Sequence, residues 1–334
     1  VRPYPNTTTF PCISSKIGLD TDHGRTMTMV TTTPLKETQW LDAWVRWEKN
    51  PSTDALDDDV DDEELPPPTE RFIFTYPNPA KTTTSTSDDN NNNKDTNGQT
   101  NIDKDVIELQ LDGFPSDSEQ TWNSTGLTLW KSSHHLCQHL VSTEAANTLQ
   151  NSKRYPNLRI LEVGSGLGRC GLLAHRLSHE GVTTILTDGD TDALKMLRQN
   201  VENNTIKAYG DNDDHDRGNN ISCRQLLWGE EHAENFLTQQ PSEGASKLSA
   251  KFDIILGSDL IYVQSVIRPL FETVRVLLSD EAESKFLMAH CARREGNEVD
   301  LPMVFDGAEA EGFGWDVLIE EDDISVFCFK RKQC

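Results

Sequence analysis

The residues best suited to chemistry form a short glycine-rich stretch that begins with an acid. Glu162-Val163-Gly164-Ser165-Gly166-Leu167-Gly168 follows an apolar run, and a helical pattern starts directly after it. A buried strand, a tight turn and the start of a helix are therefore expected here. Glycine permits the sharp turn and lets a ligand approach the backbone, while the helix start supplies unpaired N–H groups. The stretch predicts a turn that binds a cofactor.

Two cofactors fit this turn. Gly166-x-Gly168-x-x-Gly171 has the spacing of a dinucleotide site, but this pattern alone is weakly specific. The acid-x-Gly-x-Gly-x-Gly spacing of 162–168 is that of an S-adenosylmethionine site. We favour S-adenosylmethionine, because an acid at the strand end would repel a pyrophosphate and attract a cationic methionine moiety. A glycine-rich turn without any ligand is the third interpretation.

Composition and charge limit the partners. The 334 residues carry a formal net charge of −24, and 35% of them are hydrophobic. Much of the acid lies in the run DALDDDVDDEE at 54–64, which is typical of a solvated tail. This balance disfavours nucleic acid as a partner and is compatible with a basic protein or peptide. No stretch is long and apolar enough to predict a membrane span.

The cysteines favour a reducing compartment. The seven cysteines are scattered, form no C-x-x-C pair and are odd in number. We therefore expect reduced thiols in a cytoplasmic or nuclear protein. His and Cys residues also lack the spacing of metal ligands, so we expect no metal site.

The first 125 residues divide into two segments. We expect 1–70 to be an N-terminal extension that is largely disordered, apart from one helix over 37–49. Trp40, Trp44 and Trp47 would share one face of that helix. Docking on the main domain is the favoured role of this helix, and substrate recognition is the alternative.

The second segment, 71–125, predicts a β-hairpin. Aromatic and β-branched residues at 71–76 and the alternating VIELQL at 106–111 favour strands. The low-complexity residues between them, 78–104, predict a disordered insertion.

From 126 onward, strand and helix patterns alternate. The predicted strands are 158–163, 183–187, 221–227, 252–258, 284–291, 313–319 and 324–330, and the predicted helices are 169–180, 191–202, 263–278 and 298–311, after an earlier helix with Ser132 or Ser133 as its N-cap. This order predicts the α/β class: a doubly wound, Rossmann-like, seven-stranded sheet, mostly parallel, with an antiparallel C-terminal hairpin. Ligands of such sheets bind at the carboxyl ends of the strands.

Four blocks in this region carry a resemblance to a known family. They are GLTLWKSS at 126–133, LEVGSGLGRCGLLA at 161–174, LTDGDTDAL at 186–194, and LLWG with FDIILGSDLIY at 226–229 and 252–262. Together they resemble the seven-strand, S-adenosylmethionine-dependent protein-lysine methyltransferases, known as methyltransferase family 16. The resemblance covers 126–334, which implies a single methyltransferase domain there.

The cofactor-binding candidates come from the motif and from the resemblance. The motif contributes Glu162 and Gly168. The resemblance implies Gly164, Ser165 and Gly166 around the methionine end, Asp188 on the ribose hydroxyls, Trp228 against the adenine, and Trp130 and Ser258 beside the cofactor. A carboxylate suits the ribose because it accepts from both hydroxyls. Asp190 is a second, lower-ranked candidate for that role, and a core aromatic is the alternative for Trp130.

Asp259 and Tyr262 are the catalytic candidates. They match the Asp-x-x-Tyr signature that lines the channel of the target amine in this family. A strand-end acid followed by an unrelated tyrosine is the alternative interpretation. A lysine amine is mostly protonated at neutral pH, so the channel must favour its neutral form or help to remove a proton.

The resemblance therefore implies a protein-lysine N-methyltransferase that uses S-adenosylmethionine. We expect a protein substrate, no nucleic acid or membrane partner, and a monomer. A protein histidine or a small-molecule amine is the alternative acceptor. A catalytically silent scaffold of the same fold and a dehydrogenase are the further alternatives.

Overall fold

The computed structural model describes residues 44–49, 70–79, 106–114, 125–209, 220–239, 251–292, 299–321 and 323–332. They form a three-stranded sheet and a seven-stranded sheet with helices on both faces. The acidic run at 54–64 and most of the predicted insertion at 78–104 lie outside these residues. No helix among the described residues is long and apolar enough to cross a membrane.

The three-stranded sheet corrects one prediction. Its first strand, β1 (Trp44–Lys49), pairs antiparallel with β2 (Glu70–Pro77). The helix predicted over 37–49 is therefore wrong for its second half, and 37–43 lie outside the described residues. Trp and Val also suit strands, and pairing with β2 supplies backbone hydrogen bonds that a short helix could make only internally. Side-chain spacing over so short a stretch does not separate the two structures.

The predicted hairpin is confirmed. The third strand, β3 (Val106–Gly113), pairs antiparallel with β2 along its whole length. Fully buried side chains of the hairpin, among them Phe74, Leu109 and Leu111, belong to the same hydrophobic cluster as side chains from 136–201. The hairpin thus shares a core with the larger sheet.

The seven-stranded sheet has the order β6-β5-β4-β7-β8-β10-β9. Its strands are β4 (Arg159–Glu162), β5 (Thr183–Asp188), β6 (Ile221–Gln225), β7 (Ile254–Ser258), β8 (Lys285–Cys291), β9 (Phe313–Glu321) and β10 (Ile324–Arg331). The first five are parallel, and β10 is antiparallel to both β8 and β9. The predicted doubly wound sheet with an antiparallel C-terminal hairpin is confirmed.

Helices cover both faces of this sheet. They are α1 (Ser132–Leu140), α2 (Thr143–Gln150), α3 (Arg169–Leu177), α4 (Thr191–Tyr209), α5 (Glu230–Thr238), α6 (Ile267–Leu277) and α7 (Leu301–Ala310). Successive side chains of a strand point to opposite faces. Accordingly, Ile160 joins the cluster on the face of the hairpin and α1 to α4, whereas Leu161 joins the cluster on the face of α5 to α7.

The start of α1 differs from the prediction of a serine N-cap. Lys131 is the N-cap residue, and its side chain makes no capping hydrogen bond. Ser132 and Ser133 lie in the first turn, where the Ser133 hydroxyl donates backward to the Trp130 carbonyl at 2.7 Å. A serine hydroxyl can bond to either side along the chain, so composition alone does not fix which residue begins the helix.

Candidate active site

A cavity of about 520 Å³ lies at the carboxyl ends of three central strands. Its lining includes Glu162, Asp188 and Ser258, the last residues of β4, β5 and β7. The volume falls in the range of small-molecule sites. This is where a doubly wound sheet is expected to bind its ligand.

The glycine loop, residues 163–168, forms one wall of the cavity. Gly164, Gly166 and Gly168 have φ angles of 58°, 51° and 88°. Residues other than glycine rarely adopt this left-handed conformation. A Cβ atom on Gly166 would also lie 3.0 Å from the carbonyl oxygen of Gly126. Both backbone conformation and space therefore require glycine at position 166.

Hydrogen bonds join the glycine loop to β5. The N–H of Gly166 donates to Oδ2 of Asp188 at 3.0 Å, and the N–H of Ser165 donates to the Thr187 carbonyl at 2.8 Å. The Ser165 hydroxyl oxygen accepts from the Thr187 N–H at 3.0 Å, and the Thr187 hydroxyl donates to the Glu162 carbonyl at 2.7 Å. Two neighbouring strand ends therefore hold the loop in one shape.

Glu162 lies beneath the loop and is 2% exposed. Its Oε2 accepts from the N–H of Gly171 at 3.1 Å. Burial raises the pKa of this carboxyl from 4.5 to about 8, although hydrogen bonds from Ser165 and Gly171 oppose the shift. A cation held in the cavity would favour the ionised carboxylate.

Asp188 and Asp190 both line the cavity but are engaged differently. Besides the glycine loop, the Asp188 carboxylate accepts from the N–H of Asp190 at 3.0 Å, and burial raises its pKa. Asp190 Oδ1 accepts from the N–H groups of Asp192 and Ala193 at 2.8 and 2.9 Å, which makes it the cap of α4. Asp190 is thus engaged at the start of α4, whereas Asp188 is engaged with the glycine loop and with the turn that follows β5.

Three aromatic side chains also line the cavity. Trp130, Trp228 and Tyr262 are all half-buried there. Trp228 lies close to the glycine loop, since a Cβ on Gly164 would be 3.4 Å from its Cζ2 atom. The Trp130 and Tyr262 rings are 6.4 Å apart between centroids and tilted by 45°. The predicted aromatic residues thus lie around one cavity.

The catalytic candidates occupy different positions. Tyr262 lines the cavity, whereas Asp259 is 3% exposed and is not part of the lining. Asp259 has a φ of 56°, which makes it the one non-glycine residue with positive φ among the described residues, and its N–H donates to the Ala289 carbonyl at 2.9 Å. Aspartate tolerates this conformation better than most residues. Such backbone outliers cluster at functional sites, and Asp259 follows directly on the lining residue Ser258.

Sequence reasoning missed Arg169, the first residue of α3. This arginine lines the cavity although it is only 4% exposed. Its Nε donates to the Tyr76 hydroxyl at 2.7 Å, its Nη1 to the Ser133 hydroxyl at 3.3 Å, and its guanidinium lies 3.8 Å from the centroid of the Phe74 ring. The available signal was a charged residue inside the otherwise apolar start of a helix.

The fold and the site together define a doubly wound α/β protein with a cavity beside its glycine loop, at the carboxyl ends of the strands. A family model described as lysine methyltransferase matches residues 116–304, which is more than half of the chain. The chain belongs to this family, and the resemblance found in its sequence is confirmed.

Comparison with individual proteins gives matches of 24% and 31% sequence identity. The chain is 31% identical over 166 residues to the protein N-lysine methyltransferase METTL21A of Xenopus tropicalis, a match that covers 49% of this chain and 61% of the relative. It is 24% identical over 154 residues to the calmodulin-lysine N-methyltransferase of Arabidopsis thaliana, which covers 46% of this chain and 44% of the relative. The matched region is therefore less than two thirds of either relative.

Proposed function

We propose that this chain transfers a methyl group from S-adenosylmethionine to the side-chain amine of a lysine in a protein substrate. One observation carries the proposal: in a member of the lysine methyltransferase family, a single cavity joins the glycine loop and Asp188 to the aromatic pair Trp130 and Tyr262. The cavity thus offers one place for a nucleoside cofactor and an adjacent place for an amine.

The described residues fit S-adenosylmethionine. The left-handed glycines have no room for side chains against the surrounding protein, so the bare backbone of the loop lines the cavity. Asp188 would accept from the ribose hydroxyls, Trp228 would stack on the adenine, and Glu162 would face the positive charges of the methionine end. When bound, S-adenosylmethionine supplies an electrophilic methyl group on a sulfonium.

The aromatic pair suits an incoming lysine. An ammonium group near the faces of Trp130 and Tyr262 would be attracted by their rings. Burial between the rings disfavours the charged form and lowers the pKa of the amine, which has an ordinary value of about 10.4. The amine would then present a lone pair, and holding its nitrogen in line with the methyl group would supply most of the acceleration.

Asp259 has a separate role in this proposal. Its left-handed backbone sets the direction of the chain from Ser258 at the strand end to Tyr262 in the cavity. We assign the carboxylate to orienting the arriving ammonium and the Tyr262 hydroxyl to holding the amine.

The test combines binding with transfer. Calorimetry with S-adenosylmethionine and with NAD should show binding of the former only, and NAD binding alone would overturn the cofactor assignment. A lysate incubated with the protein and labelled S-adenosylmethionine should then contain labelled protein, with the label mapped to lysine by mass spectrometry. Label on histidine, or in small molecules only, would support the alternative acceptors instead.

The remaining proposals concern the cellular setting. We propose a monomer that acts in the cytoplasm or nucleus and binds neither nucleic acid nor membranes. Cys137 and Cys170 are buried with their sulfur atoms 3.8 Å apart and are nevertheless not joined in a disulfide, which supports a reducing compartment. The net charge of −24 supports a basic peptide segment as the target. Cell fractionation and sedimentation of the purified chain test these assignments.

A further inference from the structure

A single buried side chain connects the N-terminal hairpin to the glycine loop. Asn200 of α4 is completely buried. Its Oδ1 accepts from the N–H of Asp112 at 2.7 Å, and its Nδ2 donates to the carbonyl oxygens of Asp112 at 3.0 Å and of Leu167 at 3.1 Å. Asp112 belongs to β3, and Leu167 lies between two left-handed glycines of the loop.

The spacing of two asparagines along α4 matches the spacing of two residues along β3. β3 pairs with β2 on one edge, and asparagine side chains of α4 occupy the other. Asn204 repeats the contact two residues earlier along β3: its Oδ1 accepts from the N–H of Gln110 at 2.9 Å, and its Nδ2 donates to the Gln110 carbonyl at 2.7 Å. Four helical residues rise by about 6 Å and two strand residues by about 6.8 Å, so both carboxamides can reach the same edge.

The two asparagines differ in their remaining hydrogen bond. Nδ2 of Asn204 also donates to the Asn200 carbonyl, within its own helix, at 2.7 Å. The equivalent bond of Asn200 leaves the helix and reaches Leu167 in the glycine loop. Of this pair, only Asn200 contacts both the hairpin and the cofactor-binding turn.

A second contact joins the hairpin to the same loop residue. Gly113, the last residue of β3, lies so close to Leu167 that a Cβ atom there would be 2.4 Å from the Leu167 Cδ1 atom. Leu167 is itself buried, at 3% exposure. Both the backbone and the side chain of Leu167 are therefore positioned by contacts that involve the end of β3.

We propose that Asn200 is a positioning residue for the methyl donor: it fixes the Leu167 carbonyl and so keeps Gly166 and Gly168 in their left-handed conformations. That geometry presents the Gly166 N–H to Asp188. The proposal rests on the proposed function, because it assumes that the glycine loop binds S-adenosylmethionine. It also gives the hairpin, which lies outside the matched residues 116–304, a part in donor binding.

The test compares Asn200→Ala with Asn204→Ala in the full chain. Both variants lose two hydrogen bonds to β3, so both should lower the melting temperature to a similar extent. Only Asn200→Ala loses the bond to the loop. We expect its Kd for S-adenosylmethionine and for S-adenosylhomocysteine to rise about tenfold, which corresponds to about 1.4 kcal/mol. The Kd of Asn204→Ala should change by less than about threefold, and kcat at saturating donor should fall less than kcat/KM in Asn200→Ala.

A second pair guards against a failure to fold. Asn200→Ser and Asn204→Ser introduce no buried charge and keep a hydroxyl that can bond to a carbonyl of the preceding helical turn. The shorter side chain at position 200 no longer reaches the Leu167 carbonyl, so the same contrast in Kd is expected. Equal changes of Kd in both members of a pair, or an unchanged Kd in the Asn200 variants, would overturn the positioning role while leaving the proposed function intact. A wild-type chain that binds neither ligand would overturn the proposed function and this role with it.

Discussion

The two sides of the cavity are built in different ways. The cofactor side, 162–168 with Asp188, is joined by hydrogen bonds between loop, strand ends and side chains, and it contains three glycines with positive φ. The acceptor side, 258–262, contains one non-glycine residue with positive φ, Asp259, and ends at the half-buried Tyr262. The first side is held by hydrogen bonds between the loop and two strand ends, and the second by a left-handed turn of the backbone that leads to Tyr262.

This contrast indicates which measured quantity a substitution on each side should change. On the cofactor side, a substitution disturbs a shape that several atoms share, so the main loss should be in donor affinity. On the acceptor side, a substitution removes a particular group next to the amine, so the main loss should be in turnover. The predictions below separate these two effects, beginning with the largest.

The largest effect is expected for Asp188→Ala. This change removes the acceptor of the Gly166 N–H and the proposed acceptor of the ribose hydroxyls. Loss of charge-assisted hydrogen bonds of this kind amounts to about 3 kcal/mol, so we expect the Kd for S-adenosylmethionine to rise about a hundredfold. Calorimetry measures this, and a Kd within threefold of the wild-type value would contradict the assignment.

On the acceptor side, Tyr262→Phe and Asp259→Asn should act on turnover. Tyr262→Phe removes the hydroxyl proposed to hold the amine, and Asp259→Asn removes the charge proposed to orient the arriving ammonium. Loss of one hydrogen bond to a charged group amounts to about 1.5–3 kcal/mol, so kcat should fall about tenfold to a hundredfold. Asparagine also tolerates the left-handed conformation that Asp259 adopts, so this variant tests the carboxylate with the least backbone strain.

Donor binding is the control for both variants, and their Kd for S-adenosylhomocysteine should stay within about threefold of wild type. If kcat is unchanged, the Asp-x-x-Tyr residues have no part in transfer. If the Kd rises as steeply as in Asp188→Ala, the contrast between the two sides fails.

A pH effect is expected from Glu162. Burial raises its pKa from 4.5 to about 8 in the folded chain, so between these values the folded state holds a proton that the unfolded state has released. The free energy of unfolding should therefore lose a contribution as pH rises from about 4.5 to about 8, and remain level above. Glu162→Gln should remove this contribution.

The measurement is the difference in urea unfolding free energy between wild type and Glu162→Gln from pH 5 to pH 9. Other titrating groups, such as His139, whose pKa burial lowers to about 4, are present in both proteins and largely cancel in this difference. A difference that does not vary with pH would show that Glu162 is already ionised in the folded chain.

The smallest effect is expected for Asp190→Ala. Asp190 caps α4 through two hydrogen bonds, and loss of such a cap lowers the free energy of unfolding by about 1 kcal/mol. Thermal unfolding measures this loss. The rise in Kd for the donor should be clearly smaller than in Asp188→Ala, and the reverse order would exchange the roles of the two aspartates.

Local sequence was sufficient where neighbouring residues form one element. The seven strands over 126–334 and the antiparallel C-terminal hairpin were predicted from periodicity and are confirmed, whereas the helices α2 and α5 were not among the predicted ones. The helix predicted over 37–49 failed because backbone pairing with β2, a partner elsewhere in the chain, decides the structure of 44–49. The prediction of a serine N-cap for α1 was wrong because the Ser133 hydroxyl donates back along the chain to the Trp130 carbonyl instead of capping the helix.

The sequence by itself determined the glycine loop and the acid before it, since strand, turn and helix start are consecutive and each depends on residues nearby. Only the tertiary structure decided what supports them. The Tyr76 hydroxyl accepts from Arg169 across 93 positions, and Asn200 bonds to Asp112 across 88. These pairs form because folding buries polar groups that must then find partners, and nothing in the residues next to Arg169 or Asn200 identifies which distant group will be there.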